Sequence, residues 1–243
     1  MTLTVLGSGG SYAPPGGACS GYLVQSDTTN LWVDCGPGTL GNLQTHVPLS
    51  QVDAVLVSHQ HPDHFGELPI LYNALAFYVD RPPLPVFTTE GTYHLTTLVN
   101  GHDCLGPLTW TLVDETAHLE IGDIAVRFSR TDHPVETLAM RFESDGSTLV
   151  YSSDTGPAWT PGAFLDDVDL FLCEATVLAH QEADDVPHLS ARQAAALASA
   201  HSVGTLVLTH RNPESPADPY VAEAGLGFDG ALAVAEVGAT FGA

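Results

Sequence analysis

His59-Gln60-His61-Pro62-Asp63-His64 follows the apolar run Ala54-Val55-Leu56-Val57-Ser58, and this stretch decides how the rest of the chain is read. With 12 histidines and 18 aspartates in 243 residues, an H-x-H-x-D-H pattern arises in a shuffled chain of this length with a probability of roughly 0.002. A surface loop has no need of such a pattern; a metal centre does. His59 and His61, two residues apart after a strand, point the same way and can share one ion. Asp63 and His64 lie one step further along the loop and can reach a second. Two ions about 3.5–4 Å apart can activate water and hold both oxygens of a displacement. Imidazole with carboxylate suits Zn2+ first, with Mn2+ or Fe2+ as alternatives.

The same design recurs along the chain. Arg127-Phe128-Ser129-Arg130 leads to His133, Val150-Tyr151-Ser152-Ser153 delivers Asp154, and Leu206-Val207-Leu208-Thr209 delivers His210. Strands that end by presenting metal-competent side chains place them on loops, where function concentrates. Twelve short β-type runs are predicted, at residues 3–6, 22–24, 31–33, 54–57, 86–88, 110–113, 124–128, 138–142, 149–151, 170–173, 205–208 and 231–233. Helix-type segments fall at 67–77, 92–99, 191–200 and 220–224. Ser190 with Gln193 forms a capping-box start for the Ala-rich helix. Strand meanders mixed with helices that arrive late in each half predict an α/β (α+β) fold of two mixed β-sheets with helices on the outer faces. Residues 1–243 are expected to form one domain, since no linker or low-complexity tract interrupts them.

Composition narrows the partners. The chain is 44% hydrophobic and 14% charged, with 29 acidic residues against 6 basic ones, all arginine, for a formal charge of −23. Long nucleic acids and anionic membranes are read through clustered Lys and Arg, which six scattered arginines do not supply. A small anionic substrate remains open if the fold itself provides positive charge. Cys19, Cys35, Cys104 and Cys173 are widely spaced without a C-x-x-C pair and read as idle buried thiols of a reducing compartment. Residues 2–6 run straight into a strand, and no stretch approaches the ~20 apolar residues of a membrane span. A soluble, cytoplasmic protein with no membrane contact is expected.

The hexapeptide resembles the hallmark of the metallo-β-lactamase superfamily, and the resemblance extends over nearly the whole chain. It implies an αββα sandwich. Asp34, within Val33-Asp34-Cys35-Gly36-Pro37-Gly38-Thr39, matches that superfamily's early buried Asp. The resemblance also implies a ligand set: His59, His61 and His133 on one metal, Asp63, His64 and His210 on the other, and Asp154 bridging the two. Cys173-Glu174-Ala175-Thr176 and His188-Leu189-Ser190-Ala191-Arg192-Gln193-Ala194-Ala195 resemble the H-E-A-T and H-S-T-x-x-Q-A-A elements of RNase Z, the transfer-RNA 3′-end endonuclease. In that branch the Glu orients the His and the His protonates the departing oxygen. Carried over, Asp63, Glu174 and His188 are the catalytic residues.

Three departures separate the chain from RNase Z. Its long basic arm is commonly inserted between the positions matched by His133 and Asp154. Here only residues 134–153 intervene, room for a hairpin on Asp145-Gly146. Cys173 replaces the motif's His, and Ser153 stands where related sequences often have Gly. The chain also resembles small actinobacterial relatives described as cyclic-nucleotide phosphodiesterases, which share the glycine-rich first loop, here Gly7-Ser8-Gly9-Gly10-Ser11. That loop reads either as a backbone cradle for phosphate or as a tight turn.

The expected function is therefore that of a dinuclear metal-dependent hydrolase, a phosphodiesterase for small phosphodiesters such as cyclic nucleotides. An RNase Z-type endonuclease, a lactone or β-lactam hydrolase on the same metals, and a metal-dependent sensor or carrier are the alternatives. A homodimer is implied by resemblance alone. Arg211 is expected in a surface salt bridge, with contact to a substrate phosphate as the other reading. The aromatic residues between Tyr72 and Tyr78 are expected in the core, with the mouth of the site or a subunit contact as alternatives.

Overall fold

Most strands carry apolar side chains on both faces, which a sheet covered on both sides requires. In the computed structural model, which describes residues 1–243, the first half runs β1 (Thr2–Gly7), β2 (Gly21–Gln25), β3 (Asn30–Val33), α1 (Thr39–Leu43), β4 (Ala54–Val57), α2 (Pro62–Phe65), α3 (Leu68–Phe77), β5 (Leu84–Thr88), α4 (Glu90–Asn100) and β6 (Leu108–Leu112). The second half runs β7 (His118–Ile121), β8 (Ile124–Arg130), β9 (Leu138–Ser144), β10 (Ser147–Tyr151), β11 (Leu170–Glu174), α5 (Ala191–Ala200), β12 (Thr205–Thr209), α6 (Asp218–Ala224) and β13 (Ala231–Val234), with β14 (Thr240–Gly242) last. Two seven-stranded sheets result, ordered β14-β1-β2-β3-β4-β5-β6 and β13-β12-β11-β10-β9-β8-β7. Each opens with antiparallel strands and continues with four parallel ones, β3 to β6 and β10 to β13.

Period-two alternation assigns the faces. Leu3, Val5, Leu31, Val33 and Leu56 of the first sheet meet Val126, Phe142, Leu149, Leu170 and Leu172 of the second in the central core. The opposite faces are covered by helices. Leu68, Leu71 and Leu75 of α3 lie over Trp32, Val55 and Val57, while Ala191, Ala194, Ala195 and Ala198 of α5 lie over Val150, Phe171 and Leu206. The four alanines follow i, i+3, i+4, i+7 spacing and let α5 approach its sheet closely. The αββα sandwich is thus present. Ser190 caps α5 as expected, its Oγ accepting from Gln193 N at 3.1 Å while Gln193 Oε1 accepts from Ser190 N at 2.9 Å.

Every predicted β-run is a strand, and β7 and β14 are added to them. Both are edge strands of four and three residues, too short for a periodic signal, and β14 forms only because β1 offers it an open edge. The end of the hexapeptide is not a loop but a helical turn, α2, with Pro62 at its first position, where the missing N–H costs nothing. Of the aromatic residues near α3, Tyr72 is half-buried and packs against the core as expected, whereas Phe77 and Tyr78, at the end of the helix, are exposed.

The hairpin between β9 and β10 turns on Asp145 (φ 48°) and Gly146 (φ 77°), the left-handed pair of a type I′ turn. A Cβ at Gly146 would meet nothing, so Gly146→Ala tests backbone conformation alone. We expect a loss of about 1 kcal/mol, seen as a lower urea midpoint with an unchanged slope.

Candidate metal centre

Parallel pairing puts the carboxyl ends of neighbouring strands side by side. Asp34 follows β3, Ser58 and His59 follow β4, and Asp154, Glu174 and His210 follow or end β10, β11 and β12. These ends meet at one edge of the sandwich. There His61 Nδ1 lies 3.0 Å from His59 Nε2 and 3.1 Å from His133 Nε2, and Asp154 Oδ2 lies 3.7 and 4.0 Å from those two Nε2 atoms. On the other side Asp154 Oδ1 stands 3.3 Å from His64 Nε2 and 3.4 Å from His210 Nε2, while Asp63 Oδ2 is 3.6 and 3.3 Å from the same atoms. All seven residues converge in two groups, with one Asp154 oxygen turned to each. Within His59, His61, His133 and Asp154, and again within Asp63, His64 and His210, the donor atoms lie within 4.8 Å of one another, so each group could hold a cation.

The turn of α2 explains how adjacent residues serve different neighbours. A rotation of about 100° per residue sends Asp63 toward His210 and His64 toward Asp34. The Asp34 carboxylate, fully buried, accepts from Ser58 N (2.8 Å), Ser58 Oγ (2.9 Å), His64 Nδ1 (2.7 Å) and Tyr151 OH (2.8 Å). Ser58 Oγ in turn takes the Nδ1 proton of His59 at 3.0 Å. Nδ1 of His133 donates to Pro187 O (3.3 Å), and Nδ1 of His210 to Thr176 Oγ (2.8 Å). Four imidazoles thereby have Nδ1 occupied and Nε2 turned to the centre, the orientation that outer partners impose on metal-binding histidines.

Electrostatics point the same way. Burial holds His59, His61 and His133 below the ordinary imidazole range, keeping them neutral with a lone pair to offer. Despite burial, His210 and His64 hold the carboxyls of Asp63 and Asp154 below the usual carboxylate range. His64 Nε2 and Asp154 Oδ1 are buried without a hydrogen-bond partner although they face each other. Buried atoms so placed are satisfied by positive charge between them, either the proton that Asp154 and Asp34 favour on His64 or a metal ion, and the residues present fit a divalent cation.

Glu174 and His188 are also brought together. Glu174 is buried and accepts His188 Nδ1 at 2.9 Å, Thr155 N at 2.7 Å and Thr176 Oγ at 2.8 Å. Burial disfavours the charge on His188, but Glu174 outweighs it and lifts the pKa to about 9. His188 lines a cavity of about 270 Å³ with Ser11, His61, Asp63, Asp154 and His210. Ser58 and Thr176, which hydrogen-bond candidate ligands, are positions that the motifs alone did not single out, since a hydroxyl beside a ligand carries no signal until its partner carboxylate is known.

One open reading is decided and one expectation is corrected. In the glycine-rich loop, Ser8 N and Gly9 N donate to Ala18 O, Gly10 N to Arg211 O, Ser11 N to Asp63 Oδ2 and Tyr12 N to Gly10 O. None of these five N–H groups is left for a phosphate; the loop is a tight turn that clamps Asp63. Arg211 forms no salt bridge: its Nη1 donates to Ser215 O at 3.0 Å and its guanidinium lies 5.5 Å from the Tyr220 ring centroid. The other five arginines hold Glu136, Glu143, Glu182 or backbone carbonyls. The four cysteines are free and buried, with thiol pKa values raised by desolvation. No helix is long and apolar enough to cross a membrane.

Residues 29–211 match the family model of the β-lactamase superfamily domain. The chain is 31% identical to a probable metallo-hydrolase of Bacillus subtilis, YhfI, over 98% of both proteins, and 31% identical to ribonuclease Z of Mycobacterium bovis over 88% of this chain and 86% of that one. The crystal structure of the Bacillus protein superposes with a TM-score of 0.91 at 28% identity, covering 99% of each chain. Human tRNase Z, short form, shares the fold at a TM-score of 0.81 and 20% identity, over 100% of this chain and 99% of that one. The chain belongs to the metallo-β-lactamase superfamily of metallo-hydrolases, in its RNase Z-like branch.

Ser153, just before Asp154, has φ 53° and a buried hydroxyl without a partner. Left-handed backbone explains why glycine is common there in related sequences. Ser153→Gly is expected to stabilise by about 1 kcal/mol, a rise of roughly 2–4 °C in the calorimetric midpoint.

Proposed function

We propose that the protein is a dinuclear metal-dependent phosphodiesterase acting on small phosphodiesters such as cyclic nucleotides. His59, His61, His133 and Asp154 would hold one divalent ion and Asp63, His64, His210 and Asp154 the other, with Zn2+ favoured by the imidazole and carboxylate donors. Bound there, the ions would supply Lewis acidity, activating water at neutral pH and neutralising charge on the phosphoryl oxygens. Asp34, through Ser58 and His64, keeps one imidazole of each group presenting Nε2. Asp63, held by Ser11 N and His210, fixes the floor of the cavity.

The observation that carries the phosphodiester reading is the buried Glu174 against His188 at the rim of the seven-residue cluster. With Nδ1 engaged by Glu174, His188 has Nε2–H left as its donor, and the raised pKa keeps it protonated near neutrality. From there it protonates the leaving oxygen of a phosphodiester, a step in which a fixed acid contributes about 10²–10⁴-fold. Lactone or β-lactam opening depends less on such an acid. Transfer-RNA cleavage is disfavoured by the short β9–β10 hairpin where the basic arm would stand and by six arginines all engaged elsewhere.

His188→Ala should lower kcat on bis(p-nitrophenyl) phosphate by about 10²–10⁴-fold with metal content by mass spectrometry unchanged. Unchanged turnover would refute the assigned roles. A panel of cyclic AMP, cyclic GMP, a lactone and precursor transfer RNA at physiological salt separates the substrate classes. Thr176→Val, which strips His210 Nδ1 of its partner, should weaken metal binding by about 10–100-fold, measured by competition with a chromophoric chelator.

A further inference from the structure

Next to the centre, three strand-end segments enclose a second cavity of about 310 Å³. Tyr12 comes from the first loop, Gln181 from the stretch after Glu174, and Asn212 and Glu214 from the stretch after His210. The cavity adjoins the cluster directly: Ser11 lines both spaces, and Thr176, on its wall, hydrogen-bonds His210. A group bonded to a phosphate at the centre would therefore enter it.

The lining defines what that group is. Gln181 Oε1 accepts from Leu178 N at 3.0 Å and Asn212 Oδ1 from Glu214 N at 3.0 Å, so the amide NH2 of each side chain remains as a donor. Glu214 offers a carboxylate acceptor on the same lining as Tyr12. The Tyr12 side chain is 47% exposed, with ring surface available for stacking. No cation lines the cavity, and Arg211, next to Asn212 in sequence, is turned away to Ser215 and Tyr220. A second phosphate or a polyanion would meet Glu214 with nothing to neutralise it. An uncharged flat ring with acceptors for the two amides and a donor for the carboxylate is matched on every count, and these are the features of a nucleobase edge.

We propose that this cavity is a nucleobase subsite, in which Tyr12 stacks on the base and Gln181, Asn212 and Glu214 read its edge. It rests on the phosphodiesterase reading and adds the determinants of substrate preference. Its measure is the ratio of kcat/KM for cyclic AMP to that for ribose 3′,5′-cyclic phosphate, which lacks the base. Removing an aromatic stacking partner costs base recognition roughly 5–100-fold, so Tyr12→Ala should lower the ratio about tenfold and Tyr12→Phe should retain it. Asn212→Ala and Gln181→Ala should shift the preference among adenine, guanine and uracil nucleotides. A wild-type ratio near one, or a ratio unchanged in Tyr12→Ala, overturns the subsite while the phosphodiesterase reading stands. If the wild type hydrolyses neither compound, that reading fails instead. The subsite is then decided by saturation-transfer NMR with AMP: base-proton saturation that disappears in Tyr12→Ala upholds it, and its absence in the wild type overturns it.

Discussion

The buried carboxylate of Asp34 is the constraint on which the site depends. It stands at the end of β3, takes the backbone and hydroxyl of Ser58 after β4, and receives Tyr151 OH from the opposite sheet. One group thus ties both sheets together at the edge where the ligands gather. A fully buried anion is tolerable only with such a set of donors, and Asp34 has four. The same contacts orient His64 directly and His59 through Ser58 Oγ, one imidazole in each group. Loss of this carboxylate would release two ligands and unpair three buried donors besides, so fold and centre are coupled here.

The second half of the chain repeats the device. Glu174, at the end of β11, orients His188 directly and His210 through Thr176 Oγ, as Asp34 orients His64 directly and His59 through Ser58 Oγ. Both carboxylates sit at the ends of parallel strands, so the matching sheet topologies of the two halves produce matching hydrogen-bond relays. The outcomes differ in what the directly held imidazole faces. His64 is enclosed, with Nε2 against Asp154 and Asp63. His188 lines the open cavity, where on the proposed reading its remaining proton would be available to a substrate.

Much of this was legible in the residues because metal donors are rare types at fixed spacing, and because apolar runs that end in them mark strand ends. What was not legible depended on distant partners. The N–H groups of the first loop read equally as a phosphate cradle or a tight turn until Ala18, Arg211 and Asp63 are seen to accept them. Arg211 reads as an ordinary surface cation until the fold turns it onto Tyr220. Ser58 and Thr176 are common residue types whose importance exists only through the carboxylate each one reaches. Phe77 and Tyr78 lie at the end of a helix whose extent periodicity does give, but whether a neighbouring element covers its last turn depends on packing that periodicity does not show. Edge strands as short as β7 and β14 are created by the sheets they join rather than by their own pattern.

The acidic composition takes on a specific meaning once the arginines are located. A formal charge of −23 would repel any anion if the surface alone decided binding. Encounter is governed by the long-range field, which salt screens over about 8–10 Å, whereas capture is governed by the groups within the cavity. Two divalent ions would bring about +4 to a cluster whose carboxylates are Asp63 and Asp154, making the interior positive beneath a negative exterior. A polymer must lay many phosphates across that exterior, with every arginine already engaged, and pays repulsion at each. A small phosphodiester meets it only on the way in. On the proposed reading, the same charge distribution would oppose a long substrate and admit a short one.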